Sequence, residues 1–99
     1  MDIRIETLGG LNVRVGERES SSLREQPIRA AVLLLLGMER QITRDRLVGF
    51  VWPDQAPDRA RHTLSQTLYR LRQELGESWV VSEGEHLRVT EQLQVDAVE

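Results

Sequence analysis

The 99-residue sequence has no cysteine and no lysine, and only four aromatic side chains. Without cysteine, a disulfide framework, a thiolate zinc site and a cysteine nucleophile are all excluded. The two histidines, His62 and His86, fall in neither HxxxH nor HxH spacing, so no metal constellation and no cofactor are expected. The chain also lacks a GxSxG elbow, a glycine-rich phosphate loop and a nucleophile beside an obvious base, so an enzyme is not expected. Its longest apolar run, residues 30–36 continued past Gly37 to Met38, falls far short of the roughly 20 residues of a membrane span. No basic-then-apolar signal opens the chain, and the expected location is the cytoplasm.

What remains is one domain's worth of chain, 39% apolar and 29% charged, inside the range of ordinary soluble folds. The net charge of −3 conceals an asymmetry. Residues 24–72 carry nine arginines against five acids, whereas residues 73–99 carry Arg88 against seven acids. A basic segment within an acidic chain points to a local anion-binding face rather than a generally adhesive protein. All thirteen basic residues are arginine, whose planar fork suits phosphates and guanine edges. A biased genome composition produces the same excess.

Ile3 and Ile5 alternate with Asp2, Arg4 and Glu6, which reads as a half-buried strand over residues 2–7. After the Gly9-Gly10 turn, Leu11, Val13 and Val15 form an antiparallel return strand, and residues 19–23 suggest a short third one. Pro27 suits the first turn of a helix running over 28–38, apolar on nearly every side and therefore buried. Gln41-Ile42 reads as a brief extended link. Thr43 as N-cap, Asp45 in the first turn, and Leu47, Val48 and Val51 predict a short second helix that Pro53 stops.

The third helix has the clearest pattern, with Pro57 at its start, Asp58 in its first turn and Gly76 at its end. On a helical wheel Ala60, Leu64, Leu68, Leu71 and Leu75 lie within about 40° of one line, the predicted core face. The opposite side collects Arg59, His62, Thr63, Gln66, Tyr69, Arg70 and Gln73 and holds no acid. Arg70 lies about 120° from the core line, whereas Arg61 lies about 60° away and is expected to run along the protein surface. Beyond the helix, residues 79–81 and 87–89 read as strands around a turn at 83–86, and Leu93 and Val95 suggest a last strand. Trp52 and Trp79 flank turns and read as core or hinge packing. Leu64, Leu68, Leu71, Val48 and Trp52 are expected to be buried together.

The expected fold is thus α+β, a short helix, a link, a long helix and a β-hairpin in the order of a winged helix-turn-helix. There the long helix enters the major groove, where arginine can fork onto guanine and glutamine onto adenine. Threonine and histidine can reach phosphates or base edges, and the hairpin at about 79–90 could bring Arg88 to backbone or minor groove.

The residues carry a resemblance as well. Ile3 to Leu11 with Val13 and Val15, Arg29-Ala30 with the leucines after it, and Arg44-Asp45-Arg46-Leu47 through Trp52-Pro53-Asp54 form its first half. Asp58-Arg59-Ala60-Arg61, Leu64, Leu68-Tyr69-Arg70-Leu71-Arg72 and Val95-Asp96 complete it. Together they resemble the N-terminal DNA-binding domain of the Streptomyces antibiotic regulatory protein type, whose fold is an OmpR/PhoB-type winged helix. The resemblance implies an N-terminal antiparallel sheet, three helices and a C-terminal wing. It further implies a transcriptional activator that binds as tandem copies on promoter direct repeats. It gives base reading to Arg70, a place nearer phosphate to Arg72, and an RNA polymerase surface to the loop opening on Trp52 and closing on Pro57. Two departures stand out. Ile28 beside Pro27 replaces a basic residue common near the start of the first helix, and His86-Leu87-Arg88 keeps the wing arginine but loses an aromatic ring.

The DNA-binding residues so expected are Arg59, His62, Thr63, Gln66, Tyr69, Arg70, Arg72, Gln73 and Arg88. The chain end at Val98-Glu99 has no helical cap signal, which suggests a domain cut from a longer regulator. A winged helix that binds protein rather than DNA is the alternative, and the acidic net charge favours it.

Overall fold

In the computed structural model, which describes residues 2–6, 12–16, 18–20 and 26–96, the chain begins with three strands, β1 (Ile3–Glu6), β2 (Asn12–Val15) and β3 (Arg18–Ser20). Helix α1 (Pro27–Glu39), strand β4 (Gln41–Thr43) and helices α2 (Arg44–Val51) and α3 (Pro57–Leu75) follow. Strands β5 (Val80–Glu83), β6 (His86–Val89) and β7 (Leu93–Asp96) complete the order. Among the described residues the architecture is α+β, three helices with two small sheets. The Gly9-Gly10 turn, Leu11, residues 21–23 and the chain end lie outside the described residues.

The first sheet has the order β3-β2-β1-β7. Pairing of Ile3 with Val15 and Ile5 with Val13 puts four branched side chains on one buried face, while Arg4 and Arg14 face solvent. The N-terminal strands pair antiparallel as expected, and the sheet is mixed because β7 joins β1 in parallel with Ile3 opposite Leu93. A parallel neighbour requires a long crossover, and the whole helical part of the chain supplies it. Among the described residues the third strand covers Arg18–Ser20, starting one residue before the expected Glu19.

Helix α1 lies against β7 and buries Ala30, Val32, Leu33 and Leu36, with Ile28 and Met38 left exposed at its ends. At Gly37 the helix approaches the sheet so closely that a Cβ would collide with Cγ2 of Val95. The helix ends at Arg40, which holds a left-handed φ of 67°. That conformation is unfavourable outside glycine, and here the side chain offsets it. Nη1 donates to the Leu93 carbonyl at 2.6 Å and Nη2 to the Thr90 carbonyl at 3.0 Å, tying α1 to the β6–β7 connection.

The expected Gln41-Ile42 link is a strand. β4 pairs antiparallel with β6, Ile42 opposite Leu87, in a second sheet of order β4-β6-β5. Thr43 then caps α2, its hydroxyl accepting the Arg46 backbone N–H at 3.2 Å. Helix α2 packs between α1 and α3 and ends at Trp52, next to Pro53.

Helix α3 starts on Pro57 and stops at Gly76, whose φ of 97° suits glycine. Ala60, Leu64, Leu68, Leu71 and Leu75 are buried, and Val48 and Trp52 of the neighbouring helix join the same core. The predicted helix phase is therefore the observed one. Thr67 is also buried, and it avoids an unpaired hydroxyl by donating to the Thr63 carbonyl at 2.8 Å. Trp79 is fully buried just before β5. No helix among the described residues is long and apolar enough to cross a membrane.

Candidate nucleic-acid interface

The α3 side away from the core carries Arg59, His62, Gln66, Tyr69, Arg70 and Gln73 exposed, with Thr63 and Arg72 half-buried at its margins. Helical spacing does this: positions 59, 62, 63, 66, 69, 70 and 73 follow the i, i+3, i+4 rule on one face. Between Asp58 and Glu74 the helix has no acid to neutralise its arginines. Among the described residues no carboxylate pairs with Arg59, Arg70 or Arg72. A surface arginine without an internal partner keeps its donors for an external anion.

Two side chains of the face are set by local bonds. The Thr63 hydroxyl donates to the Arg59 carbonyl at 2.9 Å, one turn back in its own helix. The Gln73 amide donates to the Tyr69 hydroxyl oxygen at 2.9 Å. The Tyr69 hydroxyl still has its own proton to donate, and 60% of that residue remains exposed.

A groove of about 580 Å³ runs along this face, lined by Thr63, Gln66, Tyr69 and Arg70 from α3 and by Arg29 from α1. Arg29 was not among the residues expected here. It occupies the third residue of α1, one position past Ile28, so the first turn of that helix does supply a cation. Only the packing of α1 against α3 brings Arg29 beside the α3 face, and no local signal in the sequence encodes that contact.

Arg88 stands apart. It lies in β6 opposite Val81 and Gln41, and its Nε donates to Glu83 Oε1 at 2.9 Å. The hairpin arginine is thus partly neutralised by its diagonal cross-strand neighbour. Residues 53–56 of the loop after α2 are exposed, as is Pro57 at the start of α3, while Trp52 is buried. Near that loop Phe50 is exposed, with the Arg46 guanidinium 5.6 Å from its ring centre.

Arg61 does not share the surface freedom of Arg70. Its guanidinium meets Asp45 of α2 and Glu85 of the β5–β6 turn, the latter at 2.8 Å. The hydrogen bonds that Arg61 donates to Glu85 and then to Asp45 raise its pKa above the ordinary arginine value. Among the described residues, no three His, Asp or Glu side chains converge as a metal-ligand set.

No family model matches this sequence, and no curated protein matches it.

Proposed function

We propose that this chain binds double-stranded DNA sequence-specifically in transcription regulation, as an OmpR/PhoB-type winged helix-turn-helix. The order of three helices and a terminal hairpin supports the fold reading. In it α3 lies in the major groove, Arg70 and Gln66 reach base edges, and Arg59, Arg72 and Arg29 meet phosphates. The β5–β6 hairpin is the wing and approaches the backbone or minor groove. The observation that carries the reading is the acid-free face of α3, whose arginines have no partner among the described residues.

The loop from Trp52 to Pro57, exposed apart from Trp52, is the surface offered to RNA polymerase, and tandem copies on direct repeats give an activator its affinity. The protein acts in the cytoplasm, with no cofactor. A net charge of −3 means that general electrostatic attraction to DNA is weak, so binding rests on a few directed contacts.

The test is a gel-shift titration on promoter DNA across salt. Log K should fall with log salt at a slope of about −0.9 per phosphate contact, with about four to six contacts per domain. Affinity that ignores salt between about 50 and about 200 mM sinks the DNA reading. It would favour the second one, a winged helix that docks on protein, for which the acidic net charge is the supporting observation.

A further inference from the structure

The β5–β6 hairpin is short and its tip is acidic. Glu83 and His86 pair across a two-residue turn, with Gly84 at φ 62°, the conformation that the first position of such a turn favours in glycine. Two arginines hold that tip. The Arg44 backbone N–H donates to the Glu85 carbonyl at 2.9 Å, and the Arg44 side chain donates to Ser82 Oγ at 2.5 Å and to the Gly84 carbonyl at 3.4 Å. Arg61, from α3, donates to Asp45 through both Nε and Nη2 and to Glu85 Oε2 at 2.8 Å. Three elements distant in sequence, the start of α2, the flank of α3 and the hairpin turn, therefore meet at one guanidinium.

Exposed ion pairs add little to global stability, so this arrangement is poorly explained as a stability device. Its placement suggests another role. A helix with its side chains is about 10–12 Å across, comparable to a Debye length of about 8–10 Å. The carboxylates of Asp45 and Glu85, held on the flank of α3, consequently lie within electrostatic reach of anything seated on its polar face.

We propose that Arg61, with Arg44, clamps the hairpin turn onto α2, and that Arg61 is a positioning residue for DNA binding. It sets the hairpin relative to the α3 face and offsets part of the negative charge of the two carboxylates, which would otherwise repel the phosphate backbone more strongly. The functional half of this inference rests on the DNA-binding reading above; the clamp itself does not.

Two measurements on the purified chain separate the halves. Without DNA, amide hydrogen exchange should show Arg61→Ala accelerating exchange at residues 82–88 and 44–46, with little change in Tm. Exchange unchanged there, or raised throughout the chain, overturns the clamp. With DNA, Arg61→Ala should weaken binding roughly threefold to tenfold on every sequence alike. Adding Asp45→Asn and Glu85→Gln to that variant should recover much of the loss, because the uncovered negative charge is then gone. Arg61→Lys should recover only part, since one ammonium cannot fork onto two carboxylates. A loss that neither neutralisation nor lysine relieves contradicts the positioning role. Failure of the unmodified chain to bind DNA defeats the DNA reading and the functional half together, while the exchange experiment still decides the clamp.

Discussion

Arg61 and Arg70 leave the same helix in different directions and meet opposite chemistry. Arg61 lies against two carboxylates, Asp45 and Glu85, whereas Arg70 lines a groove with Arg29 and has no acidic partner among the described residues. Composition cannot tell the two apart. Their angular positions can: about 60° from the core line runs the side chain along neighbouring elements, and about 120° turns it outward.

The helix phase behind this assignment has a stability consequence. Leu68 is 2% exposed among Leu64, Leu71, Val48 and Trp52. Leu68→Ala should cost about 2–5 kcal/mol in urea unfolding, combining lost burial with the cavity left behind. A change within a few tenths of a kcal/mol would contradict the packing of α3.

Gly37 tests the seat of α1 on β7. A helical Gly→Ala exchange normally gains about 1 kcal/mol, yet here the new methyl meets Val95 Cγ2. Overpacking costs about 1–3 kcal/mol, so Gly37→Ala should be net destabilising by thermal melting. Val95→Ala in the same background should relieve part of that loss. Additive effects of the two substitutions would contradict the close approach.

How much of this was legible without the structure depends on how local each signal is. Helix α3 was legible because Pro57, Gly76 and the leucine spacing lie within one contiguous segment, and its polar face followed from the same period. For β4 the extended backbone at Gln41-Ile42 was legible but its pairing was not, since three residues hold no periodicity and the partner strand β6 comes more than forty residues later. The parallel pairing of β7 with β1 joins nearly opposite ends of the chain, which no window of sequence displays. In the site, the α3 residues were readable, but Arg29 entered through helix packing and the Arg61 partners through a three-element junction. The bond between Arg88 and Glu83 was within reach, because a two-residue turn makes them diagonal neighbours on one hairpin face.

Arg29 and Arg88 should therefore differ as phosphate contacts. Arg29→Ala should weaken binding by a similar factor on all DNA sequences and reduce the salt slope by about one unit. Arg88→Ala should change the slope less, since Glu83 already shares its charge. Equal slopes for both variants and the unmodified chain would exclude Arg29 from the interface.

Affinity should also depend on site arrangement. One domain with few contacts binds weakly, but two copies on direct repeats about one helical turn apart present α3 to the same face of the duplex. Binding measured by fluorescence anisotropy should be tighter on such a repeat than on a single site, and moving the repeats half a turn apart should remove the gain. Indifference to spacing would argue against tandem binding.

The central claim, that the outward face of α3 reads bases, is tested most directly by Arg70→Ala against a panel of single-base variants of a bound site. The account predicts a loss of about 1–3 kcal/mol on the intact site. The loss should be much smaller on the variant altered at the base pair Arg70 reads, because a bidentate contact already broken cannot be lost again. A uniform loss across the whole panel would contradict base reading and reduce Arg70 to a phosphate contact.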